Sequence, residues 1–168
     1  MLAIIYRYSS IICLLAAIVF TACTSAKNDA PTPLVADGLS WTVDGAASTT
    51  NTYTTSSPSA NNLVTVIGQL NVNTSTTNSQ LMLDMPRTVG TYPFGPATLA
   101  GATYISSANN KSKVYFAGYD GRTLIGSGTI VVTEITASRI KGTFAFTGID
   151  QLIRDTKSIT NGTFNVGL

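Results

Sequence analysis

The sequence predicts an all-β domain, an antiparallel β-sandwich of about nine strands, preceded by a lipoprotein signal peptide and a flexible tether. Past residue 37, apolar and polar residues alternate in short segments, the period of strands with one buried face. Gly, Asn and Asp turn signals separate these segments roughly every 8–12 residues, which favours a sandwich or barrel. Past the signal peptide, the hydrophobic residues do not follow a helical period over several turns, and only residues 150–154 suggest one short helical turn.

Residues 1–22 have the features of a lipoprotein signal peptide. Arg7 is the only charge before Lys27, and a mostly apolar run covers 11–20. This run is about as long as the apolar region of a signal peptide and shorter than the ~20 residues that span a bilayer as a helix. The Phe-Thr-Ala-Cys stretch that ends at Cys23 resembles the bacterial lipobox, in which the cysteine is acylated and becomes the new N-terminus.

Acylation of Cys23 implies a protein anchored through lipid at the cell envelope, on a periplasmic or surface face. Two or three acyl chains at one residue give stable anchoring. Cys13 is removed with the signal peptide, so the mature chain has no free thiol for a disulfide or a thiolate metal site. The alternatives are an uncleaved membrane anchor and a secretory signal cut near Ala22. The second leaves a bare thiol in an oxidising compartment, where it is prone to oxidation.

Residues 23–37 comprise the lipidated cysteine and the predicted tether, and residues 38–168 comprise the β-sandwich domain. The tether is small and polar and contains Pro31 and Pro33. Such a segment buries too little apolar surface to offset the entropy lost on ordering, so we expect a flexible stalk.

The charge of the chain argues against nucleic acid as a partner. Lys and Arg number 10 against 8 Asp and Glu, and they are scattered. Nucleic-acid-binding domains usually carry clustered basic residues.

Period-two segments and turn signals place the strands in chain order. Asp44 and Gly45 predict the turn of a first hairpin, and Asp120 and Gly121 predict a later turn after a short strand at 114–117. Three further segments each place their apolar residues on one face. These residues are Val64, Val66, Leu70 and Val72; Leu81, Leu83 and Met85; and Ile140, Phe144 and Phe146.

A Gly-Thr phrase followed by alternating apolar residues occurs four times, at 90–94, 128–132, 142–146 and 162–166. The spacing is irregular, so the phrase is not a solenoid repeat. Gly eases a turn or bulge and Thr faces solvent, so each phrase is interpreted as the start of a strand.

The order of these features resembles one family. The lipobox, the Pro-containing spacer, the Trp-Thr-Val-Asp-Gly hairpin at 41–45, the Gly-Thr-Tyr-Pro segment at 90–93 and the closing run at 128–166 are similar to those of small Bacteroidota lipoproteins that share a domain of unknown function. The resemblance implies a β-rich domain on the outer membrane. It carries over no catalytic residues.

The residues indicate no enzyme chemistry, no cofactor and no metal. The chain has no His, the usual general base and the commonest metal ligand. Phosphate-binding and calcium-binding loop patterns are missing as well. A hydrolase remains the least favoured hypothesis, because it needs two carboxylates facing each other across a cleft. The eight carboxylates are scattered, at Asp29, Asp37, Asp44, Asp84, Asp120, Glu134, Asp150 and Asp155.

Aromatic residues concentrate in the middle of the chain and make Tyr104, Tyr115 and Tyr119 candidates for ligand binding. Exposed rings on a β-face stack on sugar rings, and the polar residues at 109–111 provide hydrogen bonds to hydroxyls. The competing interpretation puts Tyr92, Phe94 and Phe116 in the core and the tyrosines at strand edges, and the strand preference of Tyr favours it. The aromatic cluster consists of Tyr92, Phe94, Tyr104, Tyr115, Phe116 and Tyr119.

Two classes of function follow. The first is an envelope lipoprotein whose non-enzymatic domain binds a partner protein or a glycan. The second is a structural or accessory subunit without small-molecule specificity. Several exposed aromatics on one face favour the first, and a uniform Thr, Asn and Ser surface favours the second.

Overall fold

The described residues of the computed structural model, 37–56, 62–70, 77–109 and 111–168, form an all-β domain. The predicted signal peptide, Cys23 and nearly all of the tether lie outside them, so their assignment stays a prediction. Within the described ranges, no helix is long and apolar enough to cross a membrane.

Twelve strands follow one another along the chain. They are β1 (Gly38–Val43), β2 (Ala46–Thr50), β3 (Tyr53–Ser56), β4 (Leu63–Leu70), β5 (Thr77–Pro86), β6 (Gly90–Pro93), β7 (Gly101–Ala108), β8 (Lys111–Tyr119), β9 (Leu124–Ile125), β10 (Ser127–Ile135), β11 (Arg139–Ile149) and β12 (Thr156–Gly167). The count exceeds the predicted nine because short strands such as β3 and β9 carry too few residues to show a period of two.

The strands pair antiparallel in one nearly closed, sandwich-like sheet. One half has the order β2-β1-β12-β11-β10-β6, and the other has the order β9-β8-β7-β5-β4-β3. The halves join at a corner, where Ile149 of β11 pairs with Phe116 of β8. The predicted antiparallel all-β fold is confirmed.

The core lies between the inner faces of the two halves and consists of residues from Leu39 to Val166. The predicted alternation places its apolar residues there: Val64, Val66, Leu81, Leu83, Met85, Ile140, Phe144 and Phe146 are all buried. Val72 lies outside the described residues. Residues 34–168 form a compact unit of their own, and a fragment of residues 37–168 keeps every core residue of the described ranges.

The Gly-Thr phrases correct one expectation. Gly90 opens β6 and Gly128 lies at the start of β10, but Gly142 and Gly162 lie inside β11 and β12. The reason is cross-strand packing, since three glycines pair with phenylalanines of the neighbouring strand. These Gly–Phe pairs are Gly128 with Phe146, Gly142 with Phe164, and Gly162 with Phe144.

Gly142 and Gly162 leave room for the ring opposite, and Gly128 leaves room for the Cβ of Phe146 and the ring of Phe94. A Cβ atom at Gly162 would lie 2.5 Å from Cδ2 of Phe144, far inside contact distance. The rings of Phe144 and Phe164 consequently sit side by side, with centroids 6.4 Å apart. The phrase therefore marks aromatic packing over glycine in strand interiors, a known device for stabilising sheets.

Ion pairs define the two ends of β1, β11 and β12. At one end, here called the proximal end, Nη1 of Arg139 binds Oδ1 of Asp37 at 2.5 Å. At the opposite, distal end, Nζ of Lys157 binds Oδ2 of Asp44 at 2.5 Å. The hydrogen bond from Arg139 lowers the pKa of Asp37, and that from Lys157 lowers the pKa of Asp44.

We expect Gly162→Ala to destabilise residues 37–168 by about 1–3 kcal/mol, because the added methyl group overpacks the site against the Phe144 ring. Thermal unfolding should show a midpoint several degrees lower. Gly95→Ala is the matched control, since a Cβ at Gly95 meets nothing within 4 Å. Partial recovery in a Gly162→Ala, Phe144→Leu double variant would assign the loss to the ring, and an unchanged midpoint for Gly162→Ala would contradict the packing account.

We expect acid to weaken the domain through the end ion pairs. Asp37 and Asp44 have pKa values below the usual 3.8 in the folded protein, so their contribution to stability is present above that pH and is lost as the pH falls through the folded values. The measurement is the unfolding midpoint between about pH 7 and pH 2. An Asp37→Asn, Asp44→Asn double variant should show a smaller acid-induced fall, and an identical fall would count against these two pairs.

Candidate functional site

The three candidate tyrosines do not form an exposed platform. Tyr104 and Tyr115 are only 7% and 1% exposed, and their rings stack in the core with centroids 6.2 Å apart. The two residues pair across β7 and β8 and point inward together. Tyr119, at the end of β8, is 36% exposed. The hypothesis that all three stack on a ligand is corrected, because two of the rings have no face open to solvent.

The competing interpretation of the aromatic cluster is right only in part. Phe94 is buried as expected, whereas Tyr92 and Phe116 are partly exposed. Tyr104 and Tyr115 lie in the core and not at strand edges. Whether each aromatic side chain is buried depends on the face of the strand to which it points, and strand register determines that face.

The hydroxyl of Tyr115 has a structural role. It donates a hydrogen bond to Oδ2 of Asp155 at 2.9 Å, and Nζ of Lys113 donates to the same oxygen at 3.0 Å. Burial and this hydrogen bond raise the pKa of Tyr115, while the bonds from Lys113 and Tyr115 lower the pKa of Asp155. The cluster ties β8 to the start of β12.

The other described carboxylates also have structural partners. Glu134 pairs with Lys141, and Asp84 accepts a hydrogen bond from Thr65. Asp120 and Asp150 accept hydrogen bonds from backbone N–H groups of their own turns. Within the described part of the chain, groups of three or more His, Cys, Asp or Glu that could hold a metal do not occur.

A bulge in β12 shapes the largest groove described on the outer face. Phe144 of β11 pairs with Gly162, but Phe146 pairs with Ile159, so β12 has an extra residue at this point. Asn161 takes it up with a φ of 51°, a conformation that Asn tolerates better than most residues. Bulges bend a strand and turn its side chains.

The groove, here called the threonine groove, has a volume of about 420 Å³. Its side chains come from three adjacent strands: Thr129, Val131, Thr143, Ala145, Asn161 and Thr163. Thr143 pairs with Val131 on one side and with Thr163 on the other, so these three form a row across β10, β11 and β12. The Thr163 hydroxyl lies 2.7 Å from the hydroxyl of Ser40 on β1.

The threonine groove offers neutral chemistry. Apolar atoms, from the threonine, valine and alanine methyl groups, make up most of its lining. The hydroxyl and amide groups among them donate and accept hydrogen bonds. None of the side chains that line it is charged. It therefore suits an uncharged ligand with alternating hydroxyl and C–H groups.

A second groove lies on the outer face of the other half of the sheet. It has a volume of about 230 Å³, and Gln69, Asn78, Gln80 and Ser107 are among its polar residues. It is smaller than the threonine groove but is likewise lined without charge.

Sequence reasoning missed the threonine groove. The Asn161-Gly162 dipeptide was a usable signal, since Asn and Gly are the residues that best adopt positive φ. The alternation of the strand hides this signal, because a bulge leaves the period of two on either side nearly intact.

Comparison with known proteins gives one family. No curated protein and no solved structure matches the chain. The family model described as a domain of unknown function, DUF6252, matches residues 46–166, nearly the whole of the β-domain. Because this match covers more than half of the sequence, the chain belongs to the DUF6252 family.

Proposed function

We propose that the chain is an outer-membrane lipoprotein of a Bacteroidota bacterium, anchored through Cys23, whose domain binds without catalysis. Its ligand is a neutral, polyhydroxylated molecule such as a glycan, held in the threonine groove. The observation that carries the proposal is the uncharged lining of hydroxyl and methyl groups in that groove.

The scaffold supports binding in this groove. The lining residues stand on three hydrogen-bonded strands, and sites built on strands hold their geometry better than sites built on loops. The Gly–Phe pairs lie directly beneath, at Phe144 and Gly162. A groove that is already formed loses little entropy when a ligand orders it further.

The anchor is compatible with this use of the domain. Asp37 lies at the proximal end, so a tether from Cys23 would meet the domain there. At about 3.3–3.6 Å per residue, such a tether reaches roughly 50 Å when extended. The groove would then stand clear of the membrane and accept long polymers.

An accessory role is the second candidate function, and two observations favour it. The stacking aromatics are mostly buried, and the two outer-face grooves are lined by threonines and by serines, respectively, among other uncharged residues. In that case the domain binds an envelope protein or coats the surface, and a glycan panel gives no specific signal.

We expect Thr143→Val and Thr129→Val each to weaken glycan binding about three- to tenfold, because each removes one hydroxyl and keeps the shape of the side chain. Calorimetry with the strongest neutral hit of a glycan panel measures the change. Thr54→Val, on the exposed edge strand β3, is the matched control and should bind like the parent protein. Equal affinity in all variants would place the ligand elsewhere, and a panel without hits would favour the accessory role.

We expect Cys23→Ala to abolish metabolic labelling of the protein with an acyl-chain analogue, because the mutation removes the acceptor thiol. The intact protein should fractionate with outer membranes. Continued labelling of the variant would refute acylation at Cys23, whatever the result of the glycan experiment.

A further inference from the structure

The threonine groove runs across the strands and not along them. Its outward side chains form two rows, each with one residue from β10, β11 and β12. One row consists of Val131, Thr143 and Thr163, and the other consists of Thr129, Ala145 and Asn161. Between the rows lie Gly162 and Phe144, whose ring is buried in the core, so these two residues form the floor. Because the walls stand on either side of this floor, the groove is directed from β10 to β12.

The first of these rows continues beyond the groove on both sides. Thr91 of β6 pairs with Val131, and Ser40 of β1 pairs with Thr163. Thr49 of β2 in turn pairs with Ser40. The complete row, here called the hydroxyl row, crosses six adjacent strands and consists of Thr91, Val131, Thr143, Thr163, Ser40 and Thr49. Every residue in it except the valine carries a hydroxyl group.

The hydroxyl row is open at both ends. Thr91, Thr143 and Thr49 are exposed, and the residues between them are half-buried. Among the described strands, β6 and β2 are the outermost of this half of the sheet, so the row meets no wall at either end. Neighbouring strands are about 4.8 Å apart, so the five steps from β6 to β2 span roughly 24 Å.

The charged residues beside the hydroxyl row are already paired. On its proximal side, Nζ of Lys141 lies 2.9 Å from a carboxylate oxygen of Glu134, and Arg139 binds Asp37. On its distal side, β11 presents the uncharged Ala145 and Thr147. Because each cation faces its own carboxylate, the surroundings of the row offer an acidic polymer no excess of positive charge.

We propose that the hydroxyl row binds a single chain of a linear, neutral polysaccharide, which lies across the six strands and is held along its interior. This inference rests on the proposed function, because the threonine groove is the middle of the row. A sugar chain carries hydroxyl groups along its edges and C–H groups on its faces, which matches threonine hydroxyl and methyl groups. The open ends let the chain continue past Thr91 and Thr49, so a chain end is not needed for recognition.

Sheet twist favours a single chain over a crystalline surface. Neighbouring strands in a sheet are rotated by roughly 20–25°, so five steps turn the outer face through roughly 100°. A flat crystalline polysaccharide would touch only the middle of the hydroxyl row. A single chain in solution can follow the twist from β6 to β2 and contact the whole row.

The dependence of affinity on chain length tests this inference. Calorimetry of residues 37–168 would use the malto-, cello-, laminari- and manno-oligosaccharides, each from the disaccharide to the octasaccharide. In a series that binds, affinity should rise up to about five or six sugar units and then level off, because one sugar unit is about as long as one step between strands. Affinity should differ little between low and high salt, since no net charge is engaged.

Substitutions at the two ends of the hydroxyl row separate it from the groove alone. Thr49→Val and Thr91→Val should each weaken binding of the hexasaccharide about threefold and leave the trisaccharide unaffected, because only the longer chain reaches these hydroxyls. Thr143→Val, at the centre, should weaken both. Thr54→Val on the edge strand β3 is the matched control and should bind both like the parent domain. Thermal unfolding of each variant checks that the fold is kept.

The possible failures are distinguishable. Affinity that levels off at the trisaccharide, or hexasaccharide binding that neither end variant changes, would overturn the hydroxyl row and leave the threonine groove as the site. Absence of binding in all four neutral series would overturn the groove as well. Tighter binding of polygalacturonate that is lost at high salt would overturn the preference for a neutral chain, and tighter binding of crystalline cellulose than of soluble chains would overturn recognition of a single chain.

Discussion

Packing of phenylalanine rings over glycine is the constraint on which the rest of the structure depends. Gly128, Gly142 and Gly162 each pair with a phenylalanine on the neighbouring strand, and a larger residue at any of them would collide with a phenylalanine side chain. Register in a sheet is specified most strongly where one face is buried, because a slip of one residue turns every side chain to the other face. The Gly–Phe pairs thus hold β10, β11 and β12 in one register, and the core forms against them.

The same packing shapes the outer surface. Because Gly162 must face Phe144, the extra residue of β12 is placed at Asn161, where a positive φ is tolerated. The bulge then bends β12 and creates the threonine groove on the opposite face of the sheet. In this way a requirement of the core determines where a groove lined by neutral hydroxyl and methyl groups lies.

The charges of the domain serve mainly its architecture. Asp37, Asp44 and Asp155 each bind a cation from another strand, at the ends of β1, β8, β11 and β12. Asp150 instead orders a turn that projects apolar side chains.

The sequence by itself determined the fold class, the alternating core positions and the turns at Asp44 and Asp120, because period and turn chemistry are local properties. It also carries the signal-peptide pattern that ends at Cys23. Only the tertiary structure determined which rings of the aromatic cluster are buried. Tyr104 and Tyr115 are equally compatible with either face of a strand until the pairing of β7 with β8 turns both rings inward. The threonine groove likewise exists only once distant strands are paired, since its lining residues come from β10, β11 and β12.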